Sequence, residues 1–201
     1  MQLTEALLAE RLQAAYQPGV IASTDGYADP QAALEMACAA VLLPLTCIRQ
    51  QWHLVFTRRT EKVEHHKGQV SFPGGRCDSQ ESSPEATALR ESREEIGLAP
   101  ADVRLLGRLN DILTITRFRV TPVVGVVPWP YPFVPAPAEV QRVFHIPLAW
   151  LADRSNWREE PLTPQGVPRP VPVVTYRLYD GERLWGASAR ITLNFLEALG
   201  L

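Results

Sequence analysis

The sequence predicts a mixed α/β (α+β) fold. Three observations carry that expectation. Apolar, β-branched stretches of strand length recur along most of the chain, helical periodicities are interleaved with them, and one long acidic helix, residues 84–96, lies among them. From the N-terminus, residues 4–16 read as a helix capped by Thr4, with Leu7, Leu8, Leu12 and Ala15 at helical spacing and Pro18-Gly19 as its stop. Residues 24–30 are a connector, and 32–36 a short helical lead-in to a buried strand at 39–48. A second strand at 52–57 runs into a polar, basic stretch, and a short strand at 70–72 is broken by Pro73-Gly74-Gly75. After the acidic helix, strands are expected at 103–109, 119–127 and 140–146, with a proline-rich segment at 128–137 and a helical turn at 147–152. A loop at 163–172 precedes a hairpin of 173–178 and 184–185 around Asp180-Gly181. The last expected element is a helix at 187–199 with Ile191, Phe195, Leu196 and Leu199 on one face.

A chain of 201 residues with 46% hydrophobic side chains suits one core-bearing domain, or one domain with an extension. The formal net charge of −2 supplies no field that would draw the chain to nucleic acid. No apolar run approaches the roughly 20 residues of a membrane span, and neither end reads as a signal or lipidation segment. Cys38, Cys47 and Cys77 are odd in number and lack a CxxC pair, so they read as reduced thiols of a cytoplasmic protein rather than a zinc site.

The chemistry concentrates between Gly74 and Leu98. Ser83 before Pro84 is a helix start, Glu85 suits the first turn, and Gly97 suits the left-handed residue that ends a helix. Leu89, Ser92 and Ile96 are expected to pack inward, while Glu91, Glu94 and Glu95, three and four apart, share another face. Like charges at that spacing each cost the helix about 0.2–0.5 kcal/mol. A solvated acidic face tolerates this. Clustered carboxylates are also what a hard divalent cation takes as ligands, and a glycine-rich turn enters the same helix.

Gly75, Glu81 after five intervening residues, Arg90-Glu91, and Glu94-Glu95-Ile96-Gly97-Leu98 together resemble the Nudix box. Two positions depart from it: eight residues separate Glu81 from Arg90 where the box has seven, and Ser92 stands where an apolar residue is usual. The resemblance implies a Nudix-type mixed β-sheet sandwiched between helices, with residues 29–201 as the hydrolase domain and 1–28 as a helical extension. It implies a pyrophosphatase that uses Mg²⁺ or Mn²⁺. The metal-site groups would be Glu91, Glu94, Glu95 and the Gly75 carbonyl. Glu91, Glu94 or Glu139 would be the general base, and Arg90 would orient a glutamate. Glu139 equally reads as an exposed loop glutamate. The partner implied is a small nucleotide substrate, and a homodimer is left open.

Upstream, Val55-Phe56-Thr57-Arg58-Arg59-Thr60 and Gly68-Gln69-Val70-Ser71-Phe72-Pro73-Gly74-Gly75 resemble the signature of the coenzyme A pyrophosphatase branch of that family. Residues 185–190, Trp-Gly-Ala-Ser-Ala-Arg, look like the same branch. The substrate contacts this implies are Arg58, Arg59, Lys67, Gly68, Phe72 and Gly74, in a segment that also holds Lys62, His65 and His66. Coenzyme A carries a pyrophosphate and a further ribose phosphate, and arginine forks suit phosphate. Without a substrate the segment is a solvated basic turn. Trp129, Tyr131 and Phe133 either stack on adenine or form a packed loop. Alternatives to coenzyme A are another nucleoside diphosphate derivative, such as ADP-ribose or a dinucleotide, or a non-catalytic binding module of the same fold. The retained Glu91, Glu94 and Glu95 speak against the last.

Thr60 and Glu64 depart from the signature, and Glu64 reverses a charge. A carboxylate 4 Å from a substrate phosphate costs about 4 kcal/mol at an effective dielectric near 20, and about 1 in bulk water. Glu64→Arg should therefore lower the Michaelis constant for coenzyme A, and lower it less for the form without the ribose phosphate. Turnover should change little, because this binding is remote from the reacting phosphorus. Steady-state kinetics on both substrates at two salt concentrations measure this. Equal effects on the two, or none, would mean that residue 64 does not face the substrate.

Overall fold

The computed structural model describes residues 3–23, 36–61, 68–163 and 170–201. The 28/29 boundary, the connector, most of the helical lead-in and the Lys62, Glu64, His65, His66 and Lys67 positions lie outside them. Helix α1 (Glu5–Ala15) is capped by the Thr4 hydroxyl, which accepts from the Leu7 N–H. It buries Leu8 and Leu12. Strand β1 (Ile21–Ser23) follows. Then come β2 (Ala37–Ile48), β3 (Gln51–Arg59), β4 (Val70–Ser71), β5 (Gly74–Arg76) and helix α2 (Pro84–Ile96). Strands β6 (Arg104–Arg108), β7 (Asp111–Leu113), β8 (Phe118–Val126) and β9 (Val140–Pro147) lead to helix α3 (Leu148–Ala152). The chain closes with β10 (Trp157–Leu162), β11 (Val171–Tyr179), β12 (Glu182–Trp185) and helix α4 (Gly186–Ala198).

Among the described residues, β1 to β9 form one mixed sheet. Its spine runs β1-β7-β8-β2-β3-β4; β5 pairs with β2, β6 with β8 and β9 with β3. Strand β2 pairs in parallel with β8 and antiparallel with β3 and β5. Alternation along β2 divides the core in two. Leu43 and Leu45 face a cluster with Leu8, Leu12, Phe56 and Phe195, so α1 and α4 cover that side. Ala40 and Leu42 face Ala88, Ile96, Val123 and Val140, so α2 covers the other. The expected mixed sheet between helices is thus present. A separate antiparallel sheet, β10-β11-β12, supports α4. No helix among the described residues is long and apolar enough to cross a membrane.

Four expectations need correction. Cys38 and Cys77 are not free thiols but a disulfide with Cα atoms 5.4 Å apart, leaving only Cys47, among the described residues, as an exposed thiol. The cause is register: Ala39 opposes Arg76 in the β2–β5 ladder, so the next pair outward is Cys38 and Cys77. Gly74 and Gly75 do not merely break a strand but form β5; a side chain at Gly74 would lie 2.4 Å from the Ala40 carbonyl oxygen, so only glycine permits this pairing. Leu89 is half-buried, and the inward face of α2 is Thr87, Ala88, Ser92, Glu95 and Ile96. Strands β7 and β10 were not expected, and Val171-Pro172 belong to β11 rather than to a loop. Strand β7 is three residues long, and β10 is exposed at nearly every position, so neither carries a period-two pattern.

Helix α2 is delimited as expected. The Ser83 hydroxyl accepts from the Ala86 N–H at 3.2 Å, and Gly97 is left-handed with φ 68°. Ser92 is fully buried, yet satisfied: its hydroxyl donates to the Ala88 carbonyl at 2.6 Å. A side chain at Gly97 would meet the Val134 Cβ at 3.1 Å. Gly97→Ala should therefore cost about 1–2 kcal/mol of stability, from the left-handed backbone and this contact. The check is a lower urea midpoint at unchanged slope.

Candidate active site

Arg90 is the hub of the acidic helix. Its Nε donates to Glu81 at 2.7 Å, its Nη1 to Glu91 at 2.9 Å and Glu94 at 3.0 Å, and its Nη2 to the Arg76 carbonyl at 3.0 Å. One guanidinium thus ties the loop before the helix, the helix and β5 together. Glu81 also accepts from the Thr87 hydroxyl and the Asp78 N–H. The hydrogen bond from Arg90, with those from Thr87 and Asp78, holds the Glu81 carboxyl down at about 2. The same bond raises the already high pKa of Arg90. The extra residue before Arg90 is absorbed by the loop at 82–83, so Glu81 still reaches its arginine.

Glu95 is almost fully buried, and burial pushes its carboxyl up to about 8. Arg59, with Nη1 at 3.6 Å, and the Gly74 N–H, which donates at 3.3 Å, oppose that rise; the charges of Glu91 and Glu139 add to it. Glu91, four residues earlier, is half-buried and also raised, by burial first and by Glu94 and Glu139 after the opposing bond from Arg90. Gly75 lies against it: a Cβ there would stand 2.4 Å from a Glu91 carboxylate oxygen, so no side chain fits. Glu94 is exposed and held by Arg90.

Glu139 reaches this group through the proline-rich segment. The Val134 and Ala136 N–H groups donate to the Ile96 and Glu95 carbonyls at 3.0 and 2.8 Å, satisfying acceptors that the end of α2 leaves open. Thr60 holds the other side: its N–H donates to the Glu139 carbonyl and its hydroxyl to the Ala138 carbonyl. Tyr131 donates to Asp102 at 3.0 Å and packs on Phe133, so these rings form the packed loop of the two readings. Trp129 stands edge-on to His145.

The donor set fits a hard divalent cation. Carboxylates of Glu91 and Glu95 are held partly or wholly out of water with incomplete counter-charge, and a backbone glycine approaches them closely enough for its carbonyl to serve. Among the described residues no three acidic, histidine or cysteine side chains already converge on one point. Arg90 instead holds Glu91 and Glu94.

Beside the carboxylates lies a cavity of about 570 Å³, lined in part by Gly74 and Arg59, both of which contact Glu95. Val70, Phe72, Ile115, Val171, Pro172 and Trp185 give it apolar walls, and Arg59 and Arg190 line its polar part. Of the residues expected to touch substrate, Arg59, Phe72 and Gly74 line this cavity. Arg58 does not. Its guanidinium is taken up instead by Glu182 and Glu61. Gly68 sits in the turn before β4, outside the cavity lining, and Lys67 lies outside the described residues. Sequence reasoning missed the Arg76 carbonyl, Thr87 and the β11 wall. Arg190, which also lines the cavity, ends the 185–190 stretch that carries the resemblance.

Residues 36–166 match the family described as NUDIX domain. The chain is 34% identical over 163 residues to proteins named uncharacterized Nudix hydrolase NudL of Yersinia pestis and Yersinia pseudotuberculosis, covering 81% of this chain and 80% of theirs. In fold it is similar to the Nudix hydrolase RenU of M. smegmatis, with a TM-score of 0.50 at 23% identity over 59% of this chain and 74% of that one. A MutT/nudix family protein from Enterococcus faecalis gives a TM-score of 0.51 at 14% identity over 82% of this chain and 62% of that one.

The raised Glu95 carboxyl makes a test of the metal-free protein. An unfolded glutamate releases its proton near 4.5, whereas folded Glu95 keeps it to about 8. Folding thus takes up a proton between those values, and stability falls as pH rises across the window, at most by about 1.4 kcal/mol per pH unit. Glu95→Gln should remove this contribution to the slope. Urea unfolding in chelator between about pH 5 and 8 measures it, and identical slopes for the two proteins would refute the assignment.

Proposed function

The chain belongs to the Nudix family, and from that premise we propose that this hydrolase of nucleoside-diphosphate-linked anhydrides splits coenzyme A or its derivatives into phosphopantetheine and adenosine bisphosphate. The observation that carries this reading is the cavity beside Gly74. It joins the carboxylate site to a largely apolar chamber, with Arg59 at the junction. A substrate whose pyrophosphate is tethered to a long, weakly polar arm suits that shape; a second ribose or nucleotide would bury hydroxyls against Phe72, Val171 and Pro172 with few partners. The order of Thr57, Arg59, Gly68 and Phe72 to Gly75 supports the same choice.

In this reading Glu91, Glu94, Glu95 and the Gly75 carbonyl would hold Mg²⁺ or Mn²⁺. When bound, the cation would neutralise pyrophosphate charge and acidify a water. Arg90 holds Glu91 and Glu94 in position and is itself fixed by Glu81. Arg59 offers its fork to a phosphate from the cavity side while countering Glu95. Glu139 and Glu91 are the candidates for taking the proton from the attacking water. Glu139 is exposed, at the tip of a segment fastened to α2 and β3, and its charge is felt by both Glu91 and Glu95.

The test is a product assay across coenzyme A, acetyl-coenzyme A, ADP-ribose and diadenosine polyphosphates with either cation, with mass spectrometry in ¹⁸O water to locate the attacked phosphorus. Coenzyme A or its thioester should be preferred, and Glu94→Gln and Glu95→Gln should each lower turnover by orders of magnitude in folded protein. Faster cleavage of ADP-ribose at equal concentration would move the assignment to that substrate. Near-normal turnover in both variants would displace the metal assignment.

A further inference from the structure

We propose that the Cys38–Cys77 bridge is a thiol–disulfide exchange site through which small thiols control how tightly the carboxylate site holds its divalent cation. The bridge closes the ladder between β2 and β5 one pair beyond Ala39 and Arg76. Strand β5 is three residues long and, among the described residues, pairs with β2 alone. Yet its backbone meets all three parts of the acidic site. The Gly74 N–H donates to Glu95, Gly75 lies against Glu91, and the Arg76 carbonyl accepts from Arg90. Beyond Cys77 the chain enters an exposed loop at 78–80. Among the described residues, the bridge is therefore the only covalent tie, besides the main chain, at the end of β5 that faces this loop. Without it, a short strand beside clustered carboxylates frays from that end, and the glycine carbonyl and the Arg90 contact lose their fixed place.

Both cysteines are partly exposed, so a small thiol has access. Cys47 does not compete within the molecule: it lies nine residues from Cys38 on the same strand, about 30 Å away. The step is a two-electron exchange. Two thiols of a reductant such as glutathione, or one dithiol, become a disulfide; the Cys38–Cys77 bond breaks, and both sulfurs leave as thiols carrying the two protons. A small-molecule disulfide reverses it.

The experiment uses the full chain with Cys47→Ser, oxidised or reduced with dithiothreitol. Thiol labelling with mass spectrometry gives the bridge's state, calorimetry with Mn²⁺ alone gives cation affinity, and hydrogen exchange reports the amides of residues 74–77. Reduction should weaken Mn²⁺ binding several-fold and speed exchange in that segment while the rest of the sheet stays protected. Cys38→Ala and Cys77→Ala should each match the reduced protein and ignore dithiothreitol; the reduced parent supplies the same comparison if a variant does not fold. Equal Mn²⁺ affinity and equal exchange in the two states would overturn the proposal. So would a bridge that resists dithiothreitol in the native protein. None of these readouts needs a substrate, so they stand apart from the choice of coenzyme A.

Discussion

Helix α2 can bury its apolar side only by taking a carboxylate with it. Ala88, Ser92 and Ile96 must face Leu42, Val123 and Val140 to close the second core, and at 100° per residue that phase turns position 95 inward as well. Glu95 is thereby removed from water and left with one N–H, one guanidinium at 3.6 Å, and the repulsion of two other carboxylates. A buried charge so poorly matched is tolerable in two ways: it takes a proton, or a cation completes its surroundings. The site's chemistry thus begins as a packing consequence of one helix.

The rest of the site limits the damage that this carboxylate does. Glu91 lies against the Gly75 backbone, with no room for a side chain between them. Its repulsion with Glu94 is bridged by Arg90, and Arg90 is gripped from outside the helix by Glu81 and by the Arg76 carbonyl. With the extra residue in the loop, the Glu81 carboxylate still arrives at the guanidinium, held there by the Asp78 N–H and the Thr87 hydroxyl. At the far end, the open carbonyls of α2 recruit the backbone of the proline-rich segment, whose conformational cost is already low because its prolines are stiff. That docking brings Glu139 within reach of the other carboxylates.

What was legible in the sequence and what was not divides along local and non-local interactions. Helix α2 was placed to the residue because its signals, Ser83, Pro84 and Gly97, act within one turn of each end. The long buried strands showed themselves by composition. By contrast, β10 has no buried face to announce it, and β5 exists only because glycine can lie against Ala40, a partner more than thirty residues away. The cysteine pair escaped for the same reason, since spacing along the chain says nothing of the ladder that sets Cys38 opposite Cys77. Among site residues, the helix carboxylates came from local spacing and Arg90 from the resemblance to the Nudix box, whereas the separation of Arg58 from Arg59 needed the register of β3. Which of two adjacent arginines meets Glu95 is a matter of strand phase, and the basic stretch alone did not reveal it.

Arg59 also marks where two differently built halves of the site meet. The reacting half is compact in sequence: apart from Glu139, its groups lie between Gly74 and Glu95. The chamber beside it is assembled from distant pieces, β4, the 114–116 turn, β11 and the start of α4, which come together only through the small sheet β10-β11-β12 and the core under α4. Changes in the chamber wall at Val171, Pro172 or Trp185 leave the carboxylates' supports untouched, because none of those supports comes from β11 or α4. Arg59 is different. It lines the chamber and counters Glu95 at once, so a change there alters both the charge that a phosphate would meet and the state of the buried carboxyl. In the proposed reading, the coupling between recognition and chemistry would therefore run through one guanidinium on β3.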